Sequence, residues 1–183
     1  MYDVMVLAGG TGRRLGGADK PGLLVGGRSL LDRVLDATSG AATTVVVGPQ
    51  RATTRPVVWT REDPIGGGPV AALSAGLPHV TSDRVVLVAA DLPFLSASLV
   101  TLLAASGNAV VAGHGQPQWL CGGWETRELR DALVGQTVQG ARLADVLGPL
   151  RPAWVTVNPA DPLRPGWLDV DTEDELRAAR ALA

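Results

Sequence analysis

Residues Val4 to Gly22 read V-M-V-L-A-G-G-T-G-R-R-L-G-G-A-D-K-P-G, an apolar run followed by a glycine-rich loop. The apolar run, Val4 to Ala8, has the composition of a buried strand and ends at Gly9 and Gly10. Glycines let the backbone approach an anion closely, so that several N–H groups can converge on it. Arginine and lysine side chains then supply the positive charge that phosphate needs. This order of features predicts a phosphate-binding loop, with charges from Arg13, Arg14 and Lys20.

Two well-known phosphate loops do not fit this stretch. A Walker A loop places glycine before its lysine and Ser or Thr after it, whereas Lys20 lies between Asp19 and Pro21. A dinucleotide fingerprint starting at Gly10 would need glycine at position 15, which is Leu15. A hydride-transfer enzyme is therefore disfavoured. A plain surface linker is the remaining alternative, and the charged residues among the glycines argue against it.

The bulk properties favour one globular domain over residues 1–183. The formal charge of −2 argues against broad nucleic-acid binding, which usually needs a basic face. No apolar run is long enough to span a membrane, and the first strand is too short for a signal peptide. One cysteine, Cys121, excludes an intramolecular disulfide. We therefore expect a cytoplasmic protein with neither membrane nor nucleic-acid partners.

Apolar, β-branched runs alternate with helical stretches along the chain. This alternation predicts an α/β fold with a mostly parallel sheet and helices on both faces, in which ligands lie beyond the carboxyl ends of the strands. The predicted strands are Val4–Ala8, Thr43–Val47, Pro56–Thr60, Arg84–Ala89, Ala109–Ala112, Trp119–Gly122 and Ala153–Val157. The predicted helices are Ser29–Ala37, Pro69–Leu77, Ala97–Ala105, Arg127–Leu133, Ala141–Leu147 and Thr172–Ala181.

Acidic residues occur at two places that suit a metal ion. Asp91 directly follows a fully apolar strand, where a carboxylate is held at a rigid rim, and Mg²⁺ is commonly bound by one or two carboxylates plus substrate phosphates. Capping of the next helix is the alternative role for Asp91, but Ser96 can serve as that cap. Asp169 and Asp171 are two apart on an extended segment and so point to one face. They are candidates for a second carboxylate ligand beside Asp91.

Taken together, Leu7-Ala8-Gly9-Gly10, Arg13-Arg14-Leu15-Gly16 and Asp19-Lys20 resemble the signature loop of molybdenum cofactor guanylyltransferases (MobA-like). The family has methionine where this chain has Leu15. The resemblance implies a three-layer α/β/α, Rossmann-like nucleotidyltransferase fold. It also implies a Mg²⁺-dependent enzyme that joins a nucleoside monophosphate to a phosphorylated acceptor and releases pyrophosphate.

The resemblance also assigns roles to individual residues. It implies that Arg14, Lys20 and Asp91 are catalytic and that Asp91 binds Mg²⁺, as it does in family members with Asp-x-Pro at this point. Gly48 stands where the family often has asparagine, and Asp63 resembles an acidic residue before a Gly-Pro-Leu-Ala-Gly segment. The implied nucleotide-binding set is Leu7, Ala8, Gly9, Gly10, Thr11, Gly12, Arg13, Lys20, Gly48, Asp63 and Asp91.

A later segment, Gln116 to Trp124, resembles the family strand that returns to the floor of the site. Its aromatic side chains either line an acceptor pocket or fill the core, and the core is favoured for Trp119 and Cys121. The leading functional hypothesis is transfer of GMP from GTP to molybdopterin. Cytidylyl or another nucleotidyl transfer to a different phosphorylated acceptor is the alternative within the enzyme class. A non-catalytic nucleotide-binding protein of the same fold is the alternative outside it.

Overall fold

The structure, a computed structural model, describes residues 1–9, 19–157 and 166–183. The strands in these ranges are β1 Asp3–Leu7, β2 Leu24–Val25, β3 Arg28–Ser29, β4 Thr44–Val47, β5 Val58–Thr60, β6 Arg84–Ala89, β7 Ala109–Gly113, β8 Gln116–Glu125 and β9 Ala153–Val155. The α-helices are α1 Leu30–Ala37, α2 Pro69–Gly76, α3 Ala97–Ala105, α4 Thr126–Leu133, α5 Leu143–Leu147 and α6 Glu173–Leu182.

The described residues form a central seven-stranded sheet in the order β5-β4-β1-β6-β8-β7-β9. Strands β5, β4, β1 and β6 pair in parallel, and so do β7 and β9. Strand β8 runs antiparallel to both of its neighbours, β6 and β7. The prediction of a mostly parallel sheet is therefore confirmed, and β8 is its antiparallel exception.

Helices cover both faces of this sheet, because successive side chains of a strand point to opposite faces. In β1, Val4 and Val6 pack on one side with residues of α1 and α3. Met5 and Leu7 pack on the other side with residues of α2, α4 and α5. All four side chains are at most 8% exposed, as expected for a strand covered on both faces. The result is the three-layer arrangement that the resemblance implies.

Asp3, at the amino end of β1, is a fully buried carboxylate with a complete set of partners. Its oxygens accept hydrogen bonds from the backbone N–H groups of Thr43, Thr81 and Ser82 at 2.7–3.0 Å. The hydroxyls of Thr81 and Ser82 donate two more, at 3.2 and 3.0 Å. This carboxylate therefore joins β1 to the chain entering β4 and to the chain entering β6.

The C-terminal segment packs away from the main sheet, on a small hairpin formed by β2 and β3. Val25 and Leu30 share a buried cluster with Val170, Leu176 and Ala179. Because Val170 points into this cluster, its sequence neighbours on either side are held at a fixed position.

Most element boundaries lie within two residues of the sequence predictions, and β6 and α3 match them residue for residue. Ser96 caps α3 as expected, and Thr172 and Glu175 form a capping box at the start of α6. The β2–β3 hairpin was not predicted, and β8 is ten residues long where four were expected. Across the described residues, the structure contains no helix that is both long and apolar enough to cross a bilayer.

Candidate active site

The carboxyl end of β6 presents Asp91 at the centre of the sheet. The backbone N–H of Ala90 donates to the carbonyl of Leu7 at 3.0 Å, so the chain stays paired with β1 up to this point. The Asp91 side chain is only 17% exposed. Its Oδ1 atom is buried and has no hydrogen-bond partner within the described part of the chain. A buried carboxylate oxygen without a partner is unusual and indicates a position kept for a ligand.

Lys20 brings a positive charge to this carboxylate from a short 3₁₀ turn, Lys20–Gly22. Its ammonium group forms a salt bridge with Asp91 and a second one, at 2.5 Å, with Asp171 Oδ1. Burial alone would lower the pKa of Lys20, but the charges of Asp91 and Asp171 outweigh burial and raise it. Lys20 therefore stays protonated at neutral pH.

Asp169 completes a group of three carboxylates with Asp91 and Asp171. One oxygen from each of the three lies within 4.8 Å of the others. Partial removal from water raises the pKa of Asp169, and the negative charges of Asp91 and Asp171 raise it further. Three carboxylates against one ammonium leave an excess of negative charge, which is the charge pattern that attracts a divalent cation.

Arg51 connects the turn of Lys20 to the end of β4. Its Nη2 and Nε atoms donate to the two carboxylate oxygens of Asp19 at 2.5 and 3.1 Å. Such a two-point contact fixes orientation as well as distance. Since Asp19 immediately precedes Lys20, this pair helps to hold the lysine in place.

A cavity of about 410 Å³ lies on one side of Asp91. Among the described residues that line it, Glu62, just beyond β5, carries the only charged side chain other than Asp91. Glu62 Oε1 accepts a hydrogen bond from the Gly66 backbone at 3.1 Å, whereas Oε2 is buried and has no partner among the described residues. The remaining lining is apolar side chain or glycine: Leu7, Gly9, Gly66, Gly68, Pro69, Ala72, Ala89 and Leu120.

A second cavity, of about 200 Å³, shares Ala89, Asp91 and Leu120 with the first and is also lined by Asp169 and Asp171. Strand β8 supplies Gln118, Leu120 and Cys121 to its lining. These residues can share one cavity because the register of β8 against β7 shifts between Val110 and Val111. Burial raises the pKa of the Cys121 thiol to about 12, so this group is neutral. Trp167 forms an aromatic wall.

Comparison with known proteins identifies the family of this chain. The profile of the MobA-like NTP transferase domain matches residues 4–153. The chain belongs to this family. A curated MobA-like relative, the molybdenum cofactor guanylyltransferase of Bradyrhizobium sp. (strain ORS 278), is 34% identical over 154 residues, which make up 74% of this chain and 73% of that protein.

Solved structures support the same fold. Molybdopterin-guanine dinucleotide biosynthesis protein A from Archaeoglobus fulgidus aligns with a TM-score of 0.75 and 24% identity, over 98% of this chain and 97% of that one. The 2-C-methyl-D-erythritol 4-phosphate cytidylyltransferase from Thermus thermophilus aligns with a TM-score of 0.69 and 23% identity, with the same coverage. Because these names refer to different nucleobases, the fold alone does not select the base.

Several residues assigned through the MobA-like resemblance lie around the two cavities. Leu7, Gly9 and Asp91 line the larger cavity, and Ala8 is buried beside it. A Cβ on Gly48 would lie 2.7 Å from the Ala8 carbonyl, so this position has no room for the asparagine side chain that the family often has there. Gly10, Thr11, Gly12, Arg13 and Arg14 lie outside the described residues, and their roles stay predictions.

Asp63, which the MobA-like resemblance places in the nucleotide-binding set, lies beside the residue that reaches the larger cavity. It is exposed and lines neither cavity, whereas its neighbour Glu62 lines the larger one. The binding role of Asp63 stays a prediction, and Glu62 is the acidic residue that sequence reasoning missed. Its place directly beyond the carboxyl end of β5 was the available signal. No role for Arg51 or Trp167 was predicted from the sequence.

Proposed function

We propose that this MobA-like protein transfers GMP from GTP to the phosphate of a molybdopterin acceptor and releases pyrophosphate. The observation that carries the proposal is the position of Asp91, which lines both cavities and is paired with Lys20, while Asp169 and Asp171 line the smaller cavity. One cavity has the size and apolar lining for a nucleoside, and the other offers a separate space for an acceptor. The name of the Bradyrhizobium relative supports the same reaction.

Mg²⁺ is the cofactor that we propose for this site. The donor set is three carboxylates, which are hard oxygen ligands, and Asp91 Oδ1 is buried without a partner within the described residues. Asp91 would hold the ion with Asp169 or Asp171 as a second ligand. Mg²⁺ supplies positive charge that binds and polarises phosphate oxygens.

The residues of the chain would contribute mainly by positioning and charge. The backbone at Gly9 borders the larger cavity. The triphosphate of the nucleotide would lie at this end of β1. Lys20, kept protonated by its aspartates, would neutralise charge on the leaving pyrophosphate. The acceptor phosphate is already ionised at neutral pH, so it can attack the α-phosphorus in line without a general base.

Glu62 favours guanine over the other bases. A carboxylate with one oxygen free can accept hydrogen bonds, and guanine presents N1–H and the N2 amino group side by side as donors. Adenine, cytosine and uracil do not present two adjacent donors on that edge. An unpaired buried acceptor is costly, so a base that satisfies Glu62 Oε2 gains binding energy over one that does not.

The first test is a thermal-shift panel of the four NTPs with and without Mg²⁺. A ligand that binds only the folded state adds about 2.7 kcal/mol of stability at one hundred times its dissociation constant. We expect a magnesium-dependent shift with GTP, and pyrophosphate release when molybdopterin is added. A shift with CTP alone would indicate that CTP, rather than GTP, is the nucleotide donor. GTP binding without any turnover would favour the non-catalytic alternative.

The matching variant is Lys20→Ala, with Arg177→Ala on exposed α6 as its control. We expect Lys20→Ala to lower turnover about 100-fold, the loss typical of removing one charge-stabilising donor. Unchanged turnover in Lys20→Ala would show that the Lys20 side chain does not take part in the reaction. The cytoplasmic location and the absence of nucleic-acid and membrane partners stay predictions from the sequence.

A further inference from the structure

We propose that Trp167 is the residue that selects the acceptor, by stacking against a planar nitrogen heterocycle of the pterin class while the acceptor's phosphate lies at the aspartates. This inference rests on the proposed function and names how its second substrate is recognised. It is carried by the lining of the smaller cavity, which combines the indole of Trp167 with the carboxylates of Asp91, Asp169 and Asp171.

The indole of Trp167 is held in place by contacts with neighbouring residues of the β7–β8 hairpin. The His114 ring meets it edge to face, with centroids 4.9 Å apart and planes at 89°. Gly113 provides the space for it, because a Cβ at that position would lie 2.7 Å from Trp167 Cε3 and 2.9 Å from Gln118 Cγ. A ring fixed in this way is preorganised, so little conformational entropy is lost when another ring stacks on it.

The rest of the cavity suits an uncharged flat ring. Leu120 and Ala89 are apolar, and the Cys121 thiol is neutral because burial raises its pKa to about 12. Gln118 Nε2 donates to the backbone carbonyls of Gly113 and Gln116, at 3.2 and 3.4 Å. With both amide hydrogens used inside the hairpin, the Gln118 carbonyl oxygen is the group left to accept a hydrogen bond from a ring N–H.

The chain itself connects the ring end to the phosphate end. Trp167 precedes Asp169 by two residues and Asp171 by four, and all three line the same cavity. A ligand that carries a ring and a phosphate a few bonds apart could therefore contact the indole and the carboxylate cluster together. A phosphorylated pterin has this form, whereas a simple sugar phosphate has no planar aromatic ring for Trp167 to stack on.

The test compares two probes by isothermal titration in the presence of Mg²⁺: neopterin phosphate, which has the ring, and glycerol 3-phosphate, which lacks it. We expect wild type to bind neopterin phosphate at least about tenfold more tightly, the scale of a base stacked on an aromatic side chain. Trp167→Ala should abolish this preference, and Trp167→Phe should keep part of it. Gly113→Ala keeps the indole but displaces it, so it should also weaken the preference.

Trp154→Ala is the matched control, because Trp154 is 55% exposed on β9 and lines neither cavity. GTP affinity is measured for every variant and should not change, which also shows that each variant is folded. Equal binding of the two probes by wild type would overturn the inference, and so would an unchanged preference in Trp167→Ala. If the wild-type protein neither bound GTP nor showed turnover, that result would instead count against the proposed function.

Discussion

Asp3 is a fully buried carboxylate at the amino end of β1, and Asp91 is a partly buried one just beyond the carboxyl end of the neighbouring strand β6. At the amino edge, Asp3 accepts five hydrogen bonds from the segments that lead into β4 and β6. At the carboxyl edge, Asp91 has a salt bridge with Lys20 and one buried oxygen with no partner among the described residues.

The difference shows how one residue type serves two purposes in one fold. Backbone N–H groups that converge on Asp3 satisfy its carboxylate, so that this charge stabilises the folded sheet. The shortage of donors around Asp91 leaves coordination capacity that an incoming cation or phosphate-bound ion can use. A satisfied buried carboxylate should therefore matter for stability, and an unsatisfied one should matter for activity.

The largest effect should come from Asp91→Asn. We expect turnover to fall about 1,000-fold, because a neutral amide is a poorer ligand for the Mg²⁺ that would stabilise the charge on the reacting phosphates. The free energy of unfolding should change by less than about 1 kcal/mol, since the carboxylate cluster already has excess negative charge. Steady-state kinetics and urea unfolding measure the two quantities. Asp131→Asn on α4, which is 70% exposed, is the control, and turnover near wild type in Asp91→Asn would refute the metal assignment.

Asp3→Asn should reverse this pattern. If the amide nitrogen replaces Oδ1, the N–H of Thr43 loses its acceptor; if it replaces Oδ2, the N–H groups of Thr81 and Ser82 lose theirs. We expect the free energy of unfolding to fall by about 3 kcal/mol. Turnover per folded molecule should stay at the wild-type level. A stable Asp3→Asn protein, judged by urea unfolding, would show that these hydrogen bonds do not hold the amino edge together.

The pH dependence of stability sharpens the comparison. Desolvation alone would raise the pKa of Asp3, but hydrogen bonds from Ser82 and Thr81 outweigh it and lower the pKa below the ordinary value of 3.8. Its contribution to stability is therefore complete above that value and is lost as the pH falls through the lower, folded-state pKa. The stability gap between wild type and Asp3→Asn should be constant from pH 7 to 5 and should narrow towards pH 3. A gap that widened on acidification would contradict the hydrogen-bonded, ionised carboxylate.

The smallest effect concerns Glu62, the other carboxylate with a buried, unpaired oxygen at the carboxyl edge among the described residues. Wild type should bind GTP about tenfold more tightly than inosine triphosphate, which lacks the guanine amino group. Glu62→Gln should reduce that preference, while Asp63→Asn, next to it but exposed, should retain it. Titration calorimetry gives both affinities. Equal preference in wild type and Glu62→Gln would assign base recognition to other groups.

The layered sheet could be predicted because its signals are local. The continuous apolar run of β6 and the cap at Ser96 depend on neighbouring residues, and both predictions were confirmed. Asp91 could be chosen as a site residue for the same reason, since it directly follows that run. The β2–β3 hairpin was missed because two-residue strands leave almost no periodic signal.

The site residues that were missed depend on contacts between distant parts of the chain. Strand β5 ends at Thr60 as predicted, which indicates that the residues just beyond it lie near the site, but two adjacent acidic residues follow, and only the folded loop shows that Glu62 rather than Asp63 lines the cavity. Trp167 meets His114 across more than fifty residues of sequence. The register shift that brings Leu120 and Cys121 into one cavity is likewise a product of strand pairing.

The contact between Lys20 and Asp171 spans 151 positions of the chain. During synthesis on the ribosome, the first strand and its lysine emerge long before the aspartate that the lysine will meet. The parallel partner β6 also arrives only after some eighty residues have been added. The reactive cluster therefore forms only after Asp171 has been synthesised, and a shorter nascent chain lacks one of its three carboxylates.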